Sequence, residues 1–102
     1  CSVACLDGVI TEKEVSLGVV SHFTIADGAS LVEARVNVGI YSPVPVISAA
    51  IRDAGEEGVI LFDAPPGTSC PFIRTVSHAD FVVLVTEPTP FGLSDLRQSV
   101  KR

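Results

Sequence analysis

The stretch Gly58–Pro71, GVILFDAPPGTSCP, decides how the chain is read. It begins with four apolar residues, Val59-Ile60-Leu61-Phe62, and breaks at an acid, Asp63. Pro65, Pro66 and Gly67 follow, then Thr68, Ser69 and Cys70, with Pro71 opening a helical pattern. A short all-apolar run bounded by turn residues predicts a strand buried on both faces, the usual state of a parallel strand in an α/β domain. An acid at the carboxyl end of such a strand stands on the edge where open α/β sheets bind ligands. Pro-Pro-Gly makes a stiff turn in which Gly67 can bring its N–H close to a ligand. The helix that follows offers free N–H groups and a positive dipole end, both suited to anions. Carboxylate, glycine and helix start together describe a phosphate-plus-metal site. An ordinary strand–turn–helix junction with a surface acid is the other reading of the same spacing.

Toward the C-terminus, residues 70–79 predict a helix with Phe72, Ile73, Val76 and Ala79 inward. Asp80 precedes a second apolar strand, Phe81 to Val85, which ends in Thr86-Glu87-Pro88. A final helix starts near Gly92, with Leu93, Leu96 and Val100 on one side. The order β-α-β-α from Gly58 implies parallel strands joined by right-handed crossovers.

Toward the N-terminus, Ser42-Pro43 opens a helix with an N-cap and a proline at its first position. Its Ile47, Ala50, Ile51 and Ala54 recur at helical spacing, and Gly55 closes it. Before it, residues 15–25 and 31–38 read as two strands joined at the turn signal Asp27-Gly28. In the second, Val32, Ala34, Val36 and Val38 alternate with Glu33, Arg35 and Asn37, the pattern of a half-solvated antiparallel strand. His22 sits in an apolar neighbourhood and is read as structural. The fold class expected is α/β: part of a parallel sheet, preceded by a β-ribbon and a helix.

A chain of 102 residues is at most one small domain. It contains no methionine, and its last helical pattern runs to the final residue, which leads us to expect an internal piece of a longer protein. Hydrophobic residues make up 47% and mean hydropathy is +0.48, yet no apolar run nears the roughly 20 residues of a membrane span. The apolar surplus is therefore assigned to doubly buried strands. A net charge of −5 without a basic cluster argues against nucleic-acid binding. Three cysteines, an odd number, suit a reducing cytoplasm better than a disulfide framework.

DAPPGTSCP resembles the switch II/Walker B region of the MinD/ParA/Mrp group of P-loop ATPases, most of all the members with an inserted ferredoxin-type domain. Residues 84–95, LVTEPTPFGLSD, match that subgroup as well. CSVACLDGVI at residues 1–10 is similar to the tail of a bacterial ferredoxin run, where three residues separate the third and fourth cysteines. Leu6 stands where that run has proline. The glycine-rich Walker A loop with its lysines is absent from the sequence.

The resemblance divides the chain into residues 1–14, the tail of a ferredoxin-like insert, and residues 15–102, part of a nucleotide-binding domain. It implies ATP and magnesium as ligands of an intact parent, with Asp63 supporting the metal and Gly67 and Thr68 at the nucleotide. It also implies a 4Fe–4S cluster with Cys1 and Cys5 among its thiolates, although two of four ligands hold no cluster by themselves. By spacing alone the two cysteines read as small buried hydrophobes. For Thr68 and Ser69, helix capping is an equal reading. Glu87 and Asp95 read first as capping or solvated acids, with the nucleotide cleft as the alternative. Cys70 is a buried small residue or a thiol activated by the helix dipole.

The function expected is a fragment of a nucleotide-dependent ATPase serving iron–sulfur or redox maturation, inactive alone. A homodimer and a redox or iron–sulfur client are the partners implied. Two rival readings are an ATP-dependent amide ligase resembling cobyrinic acid a,c-diamide synthase and a non-enzymatic scaffold or dimerisation segment.

Overall fold

The computed structural model describes residues 2–101, so Cys1 lies outside the described residues. Strands β1 (Gly18–Thr24) and β2 (Ser30–Val36) pair antiparallel, from Gly18 opposite Val36 to Thr24 opposite Ser30. The turn between them works because Asp27 and Gly28 both adopt positive φ, 62° and 78°. This is the left-handed region that favours Asp, Asn and Gly. The Ile25 N–H closes the loop on the Ala29 carbonyl at 2.7 Å. The ribbon expected at residues 15–25 and 31–38 is thus present but shorter. Val38 lies beyond its end and is fully exposed.

Helix α1 (Val44–Ala54) covers the ribbon face that carries Gly18, Val20, Val32, Ala34 and Val36. Gly18 permits this approach, since a Cβ there would overlap the Arg35 carbonyl and stand 3.1 Å from Val46 Cγ2. His22 Nε2 and Asp53 Oδ2, 3.2 Å apart, tie β1 to α1. The opposite face leaves Val19, Phe23 and Leu31 about half exposed. Helix α1 starts slightly later than its sequence signal: Pro43 takes the N-cap position, and Ser42 Oγ accepts from the Val44 N–H at 3.4 Å.

Helix α2 (Cys70–Val76) packs on α1. Arg74 Nε donates to Ser48 Oγ at 2.9 Å, and Ser48 Oγ donates to the Val44 carbonyl at 2.9 Å, a relay that fixes the two helices. The core is small: among the described residues only Val46, Phe72 and Thr75 are buried. Thr75 satisfies its hydroxyl within its own helix, on the Pro71 carbonyl at 3.0 Å.

Helix α3 (Pro90–Val100) begins at Thr89, whose Oγ1 accepts from the Gly92 N–H at 3.1 Å. Its apolar side is poorly covered, with Leu93 at 46% and Val100 at 70% exposure.

The two runs expected as doubly buried parallel strands make no ladder. Among the described residues, the backbone of 59–63 and of 81–86 forms no hydrogen bond. Burial instead alternates: Ile60 and Phe62 are half-buried, while Val59 and Leu61 are exposed at 93% and 91%. A strand is buried on both faces only when neighbours flank it and helices cover both sides. Here no paired strand flanks either run among the described residues, and 81–85 is exposed throughout.

Candidate functional site

One broad open cleft gathers the residues that the two long motifs contribute. Asp63, Gly67 and Thr68 line it from the first motif, and Thr86, Glu87, Gly92 and Asp95 from the second. Asp63 is exposed, and among the described residues its carboxylate has no hydrogen-bond partner. The Pro65-Pro66-Gly67 turn carries the chain away from it, with Gly67 at φ 96°. Open space surrounds the position a Gly67 Cβ would take, so the backbone there is free to meet a ligand. Thr68 is half-buried, and neither it nor Ser69 makes a side-chain capping bond, although Ser69 holds the N-cap position of α2. Cys70 is exposed, not buried, and does not line the cleft.

The second motif folds onto its own helix. The Thr89 N–H donates to the Glu87 carbonyl at 2.8 Å, and Gly92 sits directly beneath that carbonyl. A side chain at Gly92 would also come within 2.8 Å of Thr86 Oγ1. The Thr89 cap and this close approach escaped the sequence reading. The Thr-Pro pair at 89–90, matching the Ser-Pro pair at 42–43, is the signal that would have shown the cap. The carboxylates of Glu87 and Asp95 have no hydrogen-bond partner among the described residues, so neither acts as a cap.

The cleft suits a metal-bound phosphate only in part. Asp63 and the uncovered Gly67 N–H supply a carboxylate and a donor. Its cationic lining is Arg52 and Arg74, the latter already engaged with Ser48, and no lysine reaches it. The positive charge that phosphates need is therefore scarce beside Asp63, Glu87 and Asp95.

A second feature lies at Cys5, half-buried after a short 3-10 turn, Ser2–Ala4. The loop behind it turns at Gly8, whose φ is 64°, and the Gly8 N–H donates to the Cys5 carbonyl at 3.3 Å. The N–H groups of Val9 and then Ile10, helped by those of Asp7 and Gly8, point at the sulfur and hold its thiol below the ordinary value; partial burial works against them. Such a cradle favours a thiolate, the form in which cysteine binds metals. Among the described residues no group of three or more His, Cys, Asp or Glu side chains could hold a metal ion. Cys5 alone completes no metal site among the described residues. Cys1, its expected companion, lies outside the described residues.

Among the described residues, no helix is long and apolar enough to cross a membrane. The chain is 28% identical over 103 residues to the uncharacterized protein MJ0579 of Methanocaldococcus jannaschii, an alignment covering 99% of this chain and 38% of that relative. The chain therefore spans well under half of the curated relative it matches. No family model and no solved structure matches it.

Proposed function

We propose that this chain is the switch-bearing part of a MinD/ParA-like ATPase with a ferredoxin-type insert, acting in iron–sulfur or redox maturation. The observation that supports the reading is that both motifs border one open cleft, with Asp63, Gly67 and Thr68 lining it along with Thr86, Glu87 and Asp95. In such an enzyme bound Mg-ATP supplies the phosphoryl group to be cleaved and the charge that organises it. Asp63 would hold the metal's water shell, and the Gly67 N–H and Thr68 hydroxyl would meet the phosphates. Cys1 and Cys5 would each give one thiolate to a 4Fe–4S cluster whose remaining ligands come from elsewhere. The same reading carries a homodimer and a redox or iron–sulfur client as partners. A cytoplasmic location agrees with Cys5 and Cys70 being free thiols.

The test compares the full reading frame containing residues 1–102 with its Asp63→Asn variant, using Mg-ATP turnover and thermal unfolding. The reading expects turnover in the parent, a loss of at least about tenfold in the variant, roughly 1.4 kcal/mol in the barrier, and little change in melting. Absence of nucleotide binding by the parent, or equal turnover per folded molecule, would overturn it. The 102 residues alone are expected to hydrolyse no ATP, because no lysine reaches the cleft.

A further inference from the structure

The ladder of the ribbon fixes which backbone groups of β1 stay free. The Leu17 carbonyl accepts from the Asn37 N–H at 2.9 Å, and the Ile25 N–H donates to the Ala29 carbonyl at 2.7 Å. Both pairs continue the register that sets Gly18 opposite Val36 and Thr24 opposite Ser30. Hydrogen-bonded pairs alternate along an antiparallel ladder, so Val19, Ser21 and Phe23 turn their N–H and C=O groups toward β2. Gly18, Val20, His22 and Thr24 turn theirs the other way, onto a free edge. Among the described residues the ribbon has no third strand, and only the Ser16 hydroxyl reaches that edge, 3.4 Å from the Gly18 carbonyl. The edge also lacks the devices that block pairing: GVVSHFT holds no proline, acid, lysine or arginine. Strand β2, by contrast, carries Glu33 and Arg35, paired at 3.0 Å. Helix α1 makes most of its ribbon contact with β2, which leaves the β1 side open.

We propose that β1 is a self-association edge: two copies of this chain pair antiparallel through Gly18–Thr24, about a two-fold axis at Ser21, into one four-stranded sheet ordered β2-β1-β1-β2. The strand is self-complementary in that register. Gly18 meets Thr24 of the second copy and Val20 meets His22, so all four residues with outward backbone groups gain a partner. An axis at Ser21 is the one position that pairs all 7 residues of the strand. It also sets Val19 opposite Phe23 of the second copy, on the face that α1 leaves uncovered, where they are 57% and 48% exposed. A β-branched residue facing an aromatic one across strands is a stabilising pair. No charge meets a like charge, whereas β2 centred on itself would set Glu33 against Glu33. Two strands make a marginal sheet, and a four-stranded one is better able to stand. The contact is isologous, so it closes at two copies, with the charged β2 strands outermost. The interface is read from the ribbon alone: the nucleotide reading names a homodimer without a surface, and this surface stands without nucleotide.

Sedimentation of the full reading frame containing residues 1–102, without nucleotide, tests the proposal together with three variants. The parent should show a concentration-dependent dimer. Ser21→Lys should weaken it by at least about tenfold, because residue 21 faces Glu33 in its own ribbon but a second lysine across the axis. Residue 21 and its counterpart form a non-hydrogen-bonded pair, with Cα atoms about 4.5 Å apart, within reach of a disulfide. Under mild oxidation Ser21→Cys should therefore link residue 21 to residue 21 of the second copy, as mapped by peptide mass. Val19→Cys should link 19 to 19 at least about tenfold more slowly, since the register sets those positions four residues out of line. A parent that sediments as a monomer at every concentration overturns the proposal. So does a dimer that Ser21→Lys leaves intact, a dimer formed only with Mg-ATP, or equal linking at 19 and 21. If circular dichroism shows that the lysine variant fails to fold, the two cysteine variants decide.

Discussion

The carbonyl of Glu87 lies so close over Gly92 that any Cβ at Gly92 would overlap it. This joins the end of one apolar run to the first turn of α3, and explains why the Thr-Glu-Pro-Thr loop needs a glycine five residues after its acid. Gly92→Ala should move the loop or fray the helix start, at about 1–3 kcal/mol, despite alanine's better helix propensity. Faster amide exchange at Leu93 and Ser94 would register it. An alanine variant with unchanged or slower exchange would show that the loop yields freely. Thr89→Ala, which only removes the cap, should cost about 1 kcal/mol.

Stability should be distributed very unevenly. Among the described residues Phe72 is one of two buried apolar ones, so Phe72→Ala should cost about 3–5 kcal/mol and abolish a cooperative thermal transition. Leu61→Ala, at an exposed position, should stay within about 0.5 kcal/mol in this chain. Circular-dichroism melts of both variants check the contrast. Equal effects would mean that residue 61 is packed in solution.

Cys5 should alkylate with a pH midpoint below that of a cysteine peptide. Its depressed value follows chiefly from the Val9 N–H, so Val9→Pro, which deletes that donor, should move the midpoint upward. The linkage has a definite sign. A folded value below the unfolded one stabilises the fold above the unfolded value, and that contribution is lost as pH falls through the folded value. Iodoacetamide rates against pH, read on peptides spanning residue 5, decide the point. A midpoint unchanged by the proline would rule out the backbone cradle as its cause.

The His22–Asp53 pair bridges strand and helix in the open, with side chains 60% and 34% exposed. Exposed pairs contribute little, so Asp53→Asn should cost no more than about 1 kcal/mol, and added salt should shrink the difference. Denaturant melts at low and high ionic strength are the check. A larger, salt-independent loss would mean that the pair anchors α1.

Local features were the legible ones. The Asp27-Gly28 turn, the alternation from Val32 to Val36 and the α1 stripe depend on neighbours within a few residues, and the structure contains all three. Val46, off the predicted stripe, is nevertheless the apolar residue of α1 that is buried, because Gly18 lets the first turn of α1 sink onto the ribbon. No periodicity within α1 encodes that approach. Thr75 is buried for a similar reason: its hydroxyl turns back onto Pro71, which releases its methyl to the core. For the candidate site, the turn at Gly67 was legible from Pro-Pro-Gly. That Glu87 and Asp95 line the same cleft was legible only as the alternative to capping, since it depends on where α3 lies. Val59–Phe62 and Phe81–Val85 were read from composition as buried on both faces, but composition records an affinity for cover and not the cover itself.

The ribbon and α1 also set an order in time. Gly18 to Ala54 is one continuous stretch whose contacts are closed by a five-residue loop and a short connection. Units built from such nearby contacts form quickly, without waiting for distant chain. As the polypeptide leaves the ribosome, this stretch can therefore settle before Val59 has emerged. The two apolar runs then appear beside an already formed unit, with unpaired backbone and no charge within either run. Until they are covered they present two β-prone, adhesive surfaces to the cell, so this interval of synthesis is where aggregation would begin and where a chaperone would be drawn.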